Sequence, residues 1–132
     1  MTFTIAVFVT RKPGLTPSDF RNHWENKHIP LLQRLGGSLF PLNHSRHYLA
    51  REETVDGDGG YCDFPVTPLV GESADFTYDG FAVVTFASES AFRGFLSVMI
   101  SDEVQEDEER FTDREKMRAV VLGEVRVTPG EG

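Results

Sequence analysis

Basic clusters, paired cysteines and long apolar runs are all missing from this chain. Its 132 residues carry 13 Lys and Arg against 21 Asp and Glu, a formal net charge of −8. Nucleic-acid binding draws on clustered cations that displace counterions, and no such cluster is present, so that class of partner is excluded. An anionic membrane surface is disfavoured for the same electrostatic reason. The one cysteine, Cys62, has no second cysteine to pair with, and a lone thiol suits a reducing, cytoplasmic setting. No stretch approaches the about 18 consecutive apolar residues of a membrane-spanning helix. The opening MTFTIAVFVTRKPG lacks the basic lead and small-residue cleavage site of a signal peptide and reads as a strand. Metal and cofactor signatures are missing too. There is no Cys pair and no H-E-x-x-H spacing, and Gly57, Gly59 and Gly60 are not flanked by the strand and helix of a phosphate-binding loop. His23 and His28, five apart on a helix, diverge by about 140° at 3.6 residues per turn, and His44 and His47 face opposite sides of a strand, so no bound metal and no cofactor are expected.

What is present is a single domain, residues 1–132, with 39 % apolar and 26 % charged residues. Phe3 to Thr10 alternates as a strand with apolar residues on both faces, Phe3, Ile5, Val7 and Val9 on one and Ala6 and Phe8 on the other. Thr16 is an N-cap, Pro17 takes the first helical position, and the helix runs to about Leu35 before Gly36-Gly37, with a kink or break near His28 caused by Pro30. Leu42–Arg51 is a second strand and residues 52–79 a long Gly/Pro/Asp-rich loop insertion whose aromatics (Tyr61, Phe64, Phe76, Tyr78) argue against complete disorder. Gly80–Ala87 is a third strand. Ser88 caps a helix to about Ser97, Asp102–Phe111 is another, and Met117–Val127 is a fourth strand. The order β-α-β-β-α-α-β is the α+β, ferredoxin-like split βαβ arrangement, a four-stranded antiparallel sheet with helices on one face. Phe3, Ile5 and Val7 are expected on the other face, too apolar to leave bare, so a homodimer joined through the sheet faces is expected.

Phe20, Trp24, His28, Leu31 and Leu35 share one side of the long helix, which puts a titratable imidazole among core residues. His28 is the first candidate for acid–base chemistry, since a kink opens room for a roomy, mostly apolar hollow between helix and sheet. On the second strand, alternation sends His44, Arg46 and Tyr48 to one side and His47 to the other. Alternation alone leaves the inward side open. His47 is the pocket candidate because Leu42 can join the opposite, intersheet face, and His44 is either a site residue or an ordinary surface or interface histidine. Arg46 is at an exposed edge or paired with a carboxylate, of a substrate or of the partner subunit, because a buried unpaired cation is costly. Asp79, ahead of the third strand, is either a turn residue or the carboxylate that orients a histidine. Asp113 is a helix-end acid, or a pocket acid if Phe111 points inward. The run Asp102–Glu115, with eight acids and two arginines, reads as a solvated surface.

The segments FTIAVFVTRKPGLT, DFRNHWENKHIPLL, HSRHYL and YDGFAVVTF, and in particular F-x-x-x-W-x-x-x-H-x-P-L after an R-K-P-G-L turn, resemble the EthD-domain family of the dimeric α+β barrel superfamily. The resemblance covers most of the chain outside Glu52–Phe76. Among its members the chain looks most like small proteins of fungal polyketide pathways regarded as decarboxylases of polycyclic aromatic β-keto acids, of the atrochrysone carboxylic acid type. It implies a cofactor-independent enzyme on an aromatic polyketide, with His28 in a pocket role and Trp24 as a pocket wall. The reading of the residues themselves adds His47 and Asp79 as catalytic candidates and Tyr48, Arg46, His44, Phe111 and Asp113 as candidates for the substrate site. The superfamily also holds cofactor-free monooxygenases and cyclases, so oxygenation, dehydration or cyclisation is the alternative, and a non-catalytic dimeric binding protein a second.

Overall fold

The computed structural model describes residues 1–53 and 64–132; the expectations for Gly57, Gly59, Gly60, Tyr61 and Cys62 lie outside the described residues. Four strands, β1 (Phe3–Val9), β2 (Asn43–Tyr48), β3 (Gly80–Phe86) and β4 (Arg118–Leu122), form one sheet in the order β2-β3-β1-β4, every pair antiparallel. Four α-helical segments, α1 (Pro17–His23), α2 (Ile29–Gly36), α3 (Glu89–Met99) and α4 (Asp102–Phe111), complete the ferredoxin-like α+β arrangement from which dimeric α+β barrels are built. Strands β2 and β4 are shorter than their sequence pattern suggests; each is an edge with a single partner.

The α1 entry is built as its residues dictate. The Thr16 hydroxyl accepts from the Asp19 N–H at 3.1 Å, the Asp19 carboxylate accepts from the Thr16 N–H at 3.2 Å, and Pro17 follows. Between α1 and α2 the chain makes a π turn over Trp24–His28, in which the Ile29 N–H donates to the Trp24 carbonyl five residues back. A regular helix would press the Pro30 ring on the carbonyl four residues before it, and the wider turn just ahead of the proline takes up that clash. The expected break near His28 is this turn. Gly37, at φ 53°, then stops α2 in a conformation that side chains disfavour.

The core lies between the sheet and the helices. Ile5, Val9, Ala82, Val84 and Phe86 from the sheet meet Phe20, Trp24, Leu32, Phe95, Val104 and Phe111, with Phe3 and Val7 packed at its margin. This corrects the expectation that Phe3, Ile5 and Val7 form the second face. Both faces of β1 are apolar, so alternation could not tell them apart, and the bulkier branched set went beneath the helices. The open face carries the opposite set, with Phe8 beside Phe81 (ring centroids 5.8 Å apart) and Ala6 paired with Val83. Gly80 is needed for close approach: a Cβ there would sit 2.9 Å from the His47 carbonyl oxygen and 3.3 Å from the Trp24 ring.

Candidate active site

Residues five apart in an ordinary helix point well away from each other, but a π turn stacks them. His23 and His28 bracket this one and therefore reach the same carboxylate, Asp107 of α4: His23 Nε2 lies 3.0 Å from Oδ1 and His28 Nδ1 lies 2.8 Å from Oδ2. The divergence computed for a uniform helix is corrected here, because the winding changes between the two rings. Asp107 itself corrects the reading of the acidic run as a solvated face. It falls on the stripe Val104–Asp107–Phe111, the side of α4 that is buried, and is 7 % exposed. That spacing was the signal in the sequence that an acid had turned inward.

His28 is 5 % exposed, and burial pushes its pKa down against the opposing pull of Asp107, so the ring is neutral near pH 7. A carboxylate can only accept, so the proton of the neutral ring sits on Nδ1 and Nε2 keeps its lone pair. Burial alone would raise the Asp107 carboxyl; the hydrogen bonds from His28 and His23 reverse this and hold it below the usual range.

His28 lines a cavity of about 80 Å³ between helix and sheet, walled by Val9, Trp24, Leu32, Val84, Phe95 and Phe111 among others, with His44, Glu108 and Met117 half-buried on its border. The hollow is mostly apolar, as expected, but not roomy: it has the volume of two or three water molecules, against the about 300–1,000 Å³ typical of pockets that enclose a drug-sized ligand. Asp107 does not line it, so Nε2 is the His28 nitrogen left for it, and it makes no hydrogen bond among the described residues. His44 is the second imidazole on the wall. Its Nδ1 is 2.9 Å from Arg46 Nη1, and a guanidinium only donates, so the His44 proton is on Nε2. Burial, helped by the Arg46 charge, takes its pKa down to about 4. Two neutral histidines of opposite tautomer thus border one cavity, His28 as acceptor and His44 as donor. Glu108, bonded by Arg114 at 3.2 Å, is pushed up by burial.

The remaining candidates divide by place. Trp24 and Phe111 line this cavity. Arg46 and Tyr48 face the same side of the sheet but meet on Glu25, Arg46 Nε at 2.6 Å from Oε2 and the Tyr48 hydroxyl donating to the same oxygen. Glu25, the intramolecular answer to the buried-cation question, had no signal in the sequence beyond its place on the turn. Burial and then Glu25 raise the Tyr48 phenol. His47 is a correction: it is exposed on the open face, stacked on Phe81 at 4.8 Å, across the sheet from His28. Leu42 does not anchor the opposite face, because it precedes β2 and is 68 % exposed. Asp79 is a second correction. It orients no histidine; it binds Arg11 and Arg51 at the end of the sheet, where Asp113 also lies, lining a different cavity.

The EthD domain model matches residues 12–115. The chain belongs to the EthD-domain family. Its fold is similar to that of an EthD family protein from Bacillus halodurans (13 % identity, TM-score 0.57, covering 95 % of this chain and 100 % of that one). It is likewise similar to an EthD-like protein from Ralstonia eutropha (14 % identity, TM-score 0.58, covering 99 % and 97 %). A looser likeness joins it to SnoaB, a cofactor-independent oxygenase from Streptomyces nogalater (11 % identity, TM-score 0.48, covering 98 % and 97 %). At such identities the EthD structures speak to fold alone, and the SnoaB likeness carries no functional weight. No curated protein sequence is detectably similar to the chain. Among the described residues no helix of this EthD protein is long and apolar enough to cross a membrane.

Proposed function

We propose that this EthD protein is a cofactor-independent acid–base enzyme that decarboxylates an aromatic polyketide β-keto acid at His28. The observation that carries the reading is the pair of oppositely protonated neutral imidazoles, His28 Nε2 as base and His44 Nε2–H as donor, on the wall of one apolar cavity. The β-keto acid, entering with its carboxyl proton, gives that proton to His28 Nε2, and Asp107 stabilises the imidazolium so formed, as the acid partner of a histidine does in hydrolases. The carboxylate, held away from water, leaves as carbon dioxide; the electron pair moves into an enolate whose oxygen accepts from His44. The His28 imidazolium then returns its proton to the α-carbon, and the ring ends neutral. The cavity admits a carboxyl and its neighbouring carbon, and the ring system extends past the half-buried border at His44, Glu108 and Met117. His28→Ala, checked for folding by circular dichroism, lowers carbon dioxide release by about 10²–10⁴-fold. Undiminished turnover in that variant returns the protein to the class of binding modules.

A neutral base beside an apolar wall also suits deprotonation of a phenol ahead of reaction with oxygen, the oxygenase alternative. Oxygen uptake that stops under nitrogen, without carbon dioxide release, selects it. We further propose that the open face, with Ala6, Phe8, Phe81 and Val83, mates with a second copy in a homodimer. Light scattering then gives twice the 14.8 kDa chain mass, and Val83→Glu returns it to one.

A further inference from the structure

The end of the sheet holds a larger cavity, about 620 Å³, that shares no lining residue with the one at His28. Neighbouring residues of the same segments divide between them: Val9, Thr112 and Met117 face the inner cavity, while Thr10, Asp113 and Lys116 face the terminal one. At the floor of the terminal cavity two arginines converge on one carboxylate. The Asp79 carboxylate accepts from the Arg11 backbone N–H at 2.7 Å and from Arg11 Nε at 3.2 Å, and Arg51 Nε lies 2.8 Å from the same oxygen. That last N–H is not aimed along a hydrogen bond, so the Arg51 contact is ionic in character.

All three side chains are withdrawn from water, at 6 % exposure for Asp79, 7 % for Arg51 and 13 % for Arg11. Arg51 spends its outer nitrogens on the carbonyls of Phe64, Phe76 and Tyr78. Arg11 gives Nη1 to the Leu15 carbonyl, and its Nη2 has no hydrogen bond among the described residues. Among the described residues, two buried cations against one anion leave a positive charge without a counterion, and such a charge is costly unless something neutralises it. Lys116 stands at the rim, its Nζ 4.0 Å from Asp113. The charged lining is therefore three cations against two carboxylates, in a chain whose total is −8. Aromatic surface adjoins the surplus charge: Phe64 lies under the Arg11 guanidinium, 4.9 Å from its centroid, and Phe76 also lines the space. The volume falls within the about 300–1,000 Å³ range of small-molecule sites.

We propose that this terminal cavity is a second binding site, for an aromatic carboxylate whose anion is held by Arg11 and Lys116 and whose ring lies against Phe64 and Phe76. The ligand supplies the missing negative charge, and the rings supply a flat apolar wall. The site is separate from the chemistry at His28 and does not depend on it.

Calorimetric titration of the whole protein with 2-naphthoate, and with the uncharged 2-naphthamide, tests this. Naphthoate binds at least about 10-fold more tightly than the amide if the surplus charge is what recognises it. Lys116→Glu, at an exposed position that the fold tolerates, weakens naphthoate about 10-fold and leaves the amide unchanged. Lys27→Glu, the same charge change on the far surface, leaves both unchanged. Phe76→Ala weakens both. His28→Ala leaves naphthoate binding intact, which separates this site from the proposed reaction. Equal binding of acid and amide, no binding at millimolar concentration, or binding that is lost in His28→Ala and indifferent to Lys116→Glu each overturns the proposal.

Discussion

The two cavities of this protein solve the problem of a buried titratable group in opposite ways. In the inner one, His28 and His44 are kept neutral by burial, each fixed in one tautomer by a charged neighbour outside the cavity wall. In the terminal one the charges are kept, and Asp79 is locked between two guanidinium groups. Neutral imidazoles can give and take protons without first breaking an ion pair. A carboxylate bound by two arginines cannot, since removing its charge would strand both cations. In the proposed reading, proton transfer belongs to the inner cavity and anchoring to the terminal one.

The largest expected effect comes from breaking the anchored side. Asp79→Asn leaves two buried arginines without their anion and lowers folding stability by about 3–5 kcal/mol, measured by urea unfolding. On the neutral side the corresponding test is pH. The folded-state pKa of His44, about 4, lies below its ordinary value of 6.5, so its contribution to stability is complete above pH 6.5 and is lost as the pH falls towards 4. The loss amounts to roughly 2–3 kcal/mol. His28, shifted in the same direction, adds to the slope. Unfolding at stepped pH shows the loss, and His44→Asn, which keeps an acceptor for Arg46, flattens it.

Asp107→Asn sharpens the division further. Its cost falls on turnover, about 10²-fold in kcat/KM, because the amide no longer enforces the Nδ1–H tautomer. The acid limb of the pH profile moves to lower pH, since Asp107 is the group that raises His28. A purely structural Asp107 would leave that limb in place. The smallest effect is a control: Thr16→Ala removes the capping box of α1 and costs about 1 kcal/mol of stability, with carbon dioxide release unchanged.

The fold was legible because local signals and tertiary structure agree. The Thr16–Pro17 entry and the limits of α4 stand where side-chain chemistry puts them. The candidate site was legible at His28 and Trp24, which occupy a helix stripe, and at His44 and Phe111, which also reach the inner cavity. His47 was misplaced because both faces of β2 are polar and an edge strand offers no hydrophobic contrast. Asp79 was misread because its partners, Arg11 and Arg51, are brought to it by the ends of three strands. Asp107 was hidden in a crowd of like residues, where composition spoke for solvent and only its spacing from Val104 and Phe111 spoke for the interior.

The π turn has a consequence for how relatives align. A chain lacking one residue between the two histidines would wind as an ordinary helix there, and rings four apart would again lie on the same side, able to share an acid. The same dyad can thus exist at two sequence spacings, with proline after the longer one. An alignment that forbids gaps inside helices would match only one of the two histidines and report the other as substituted.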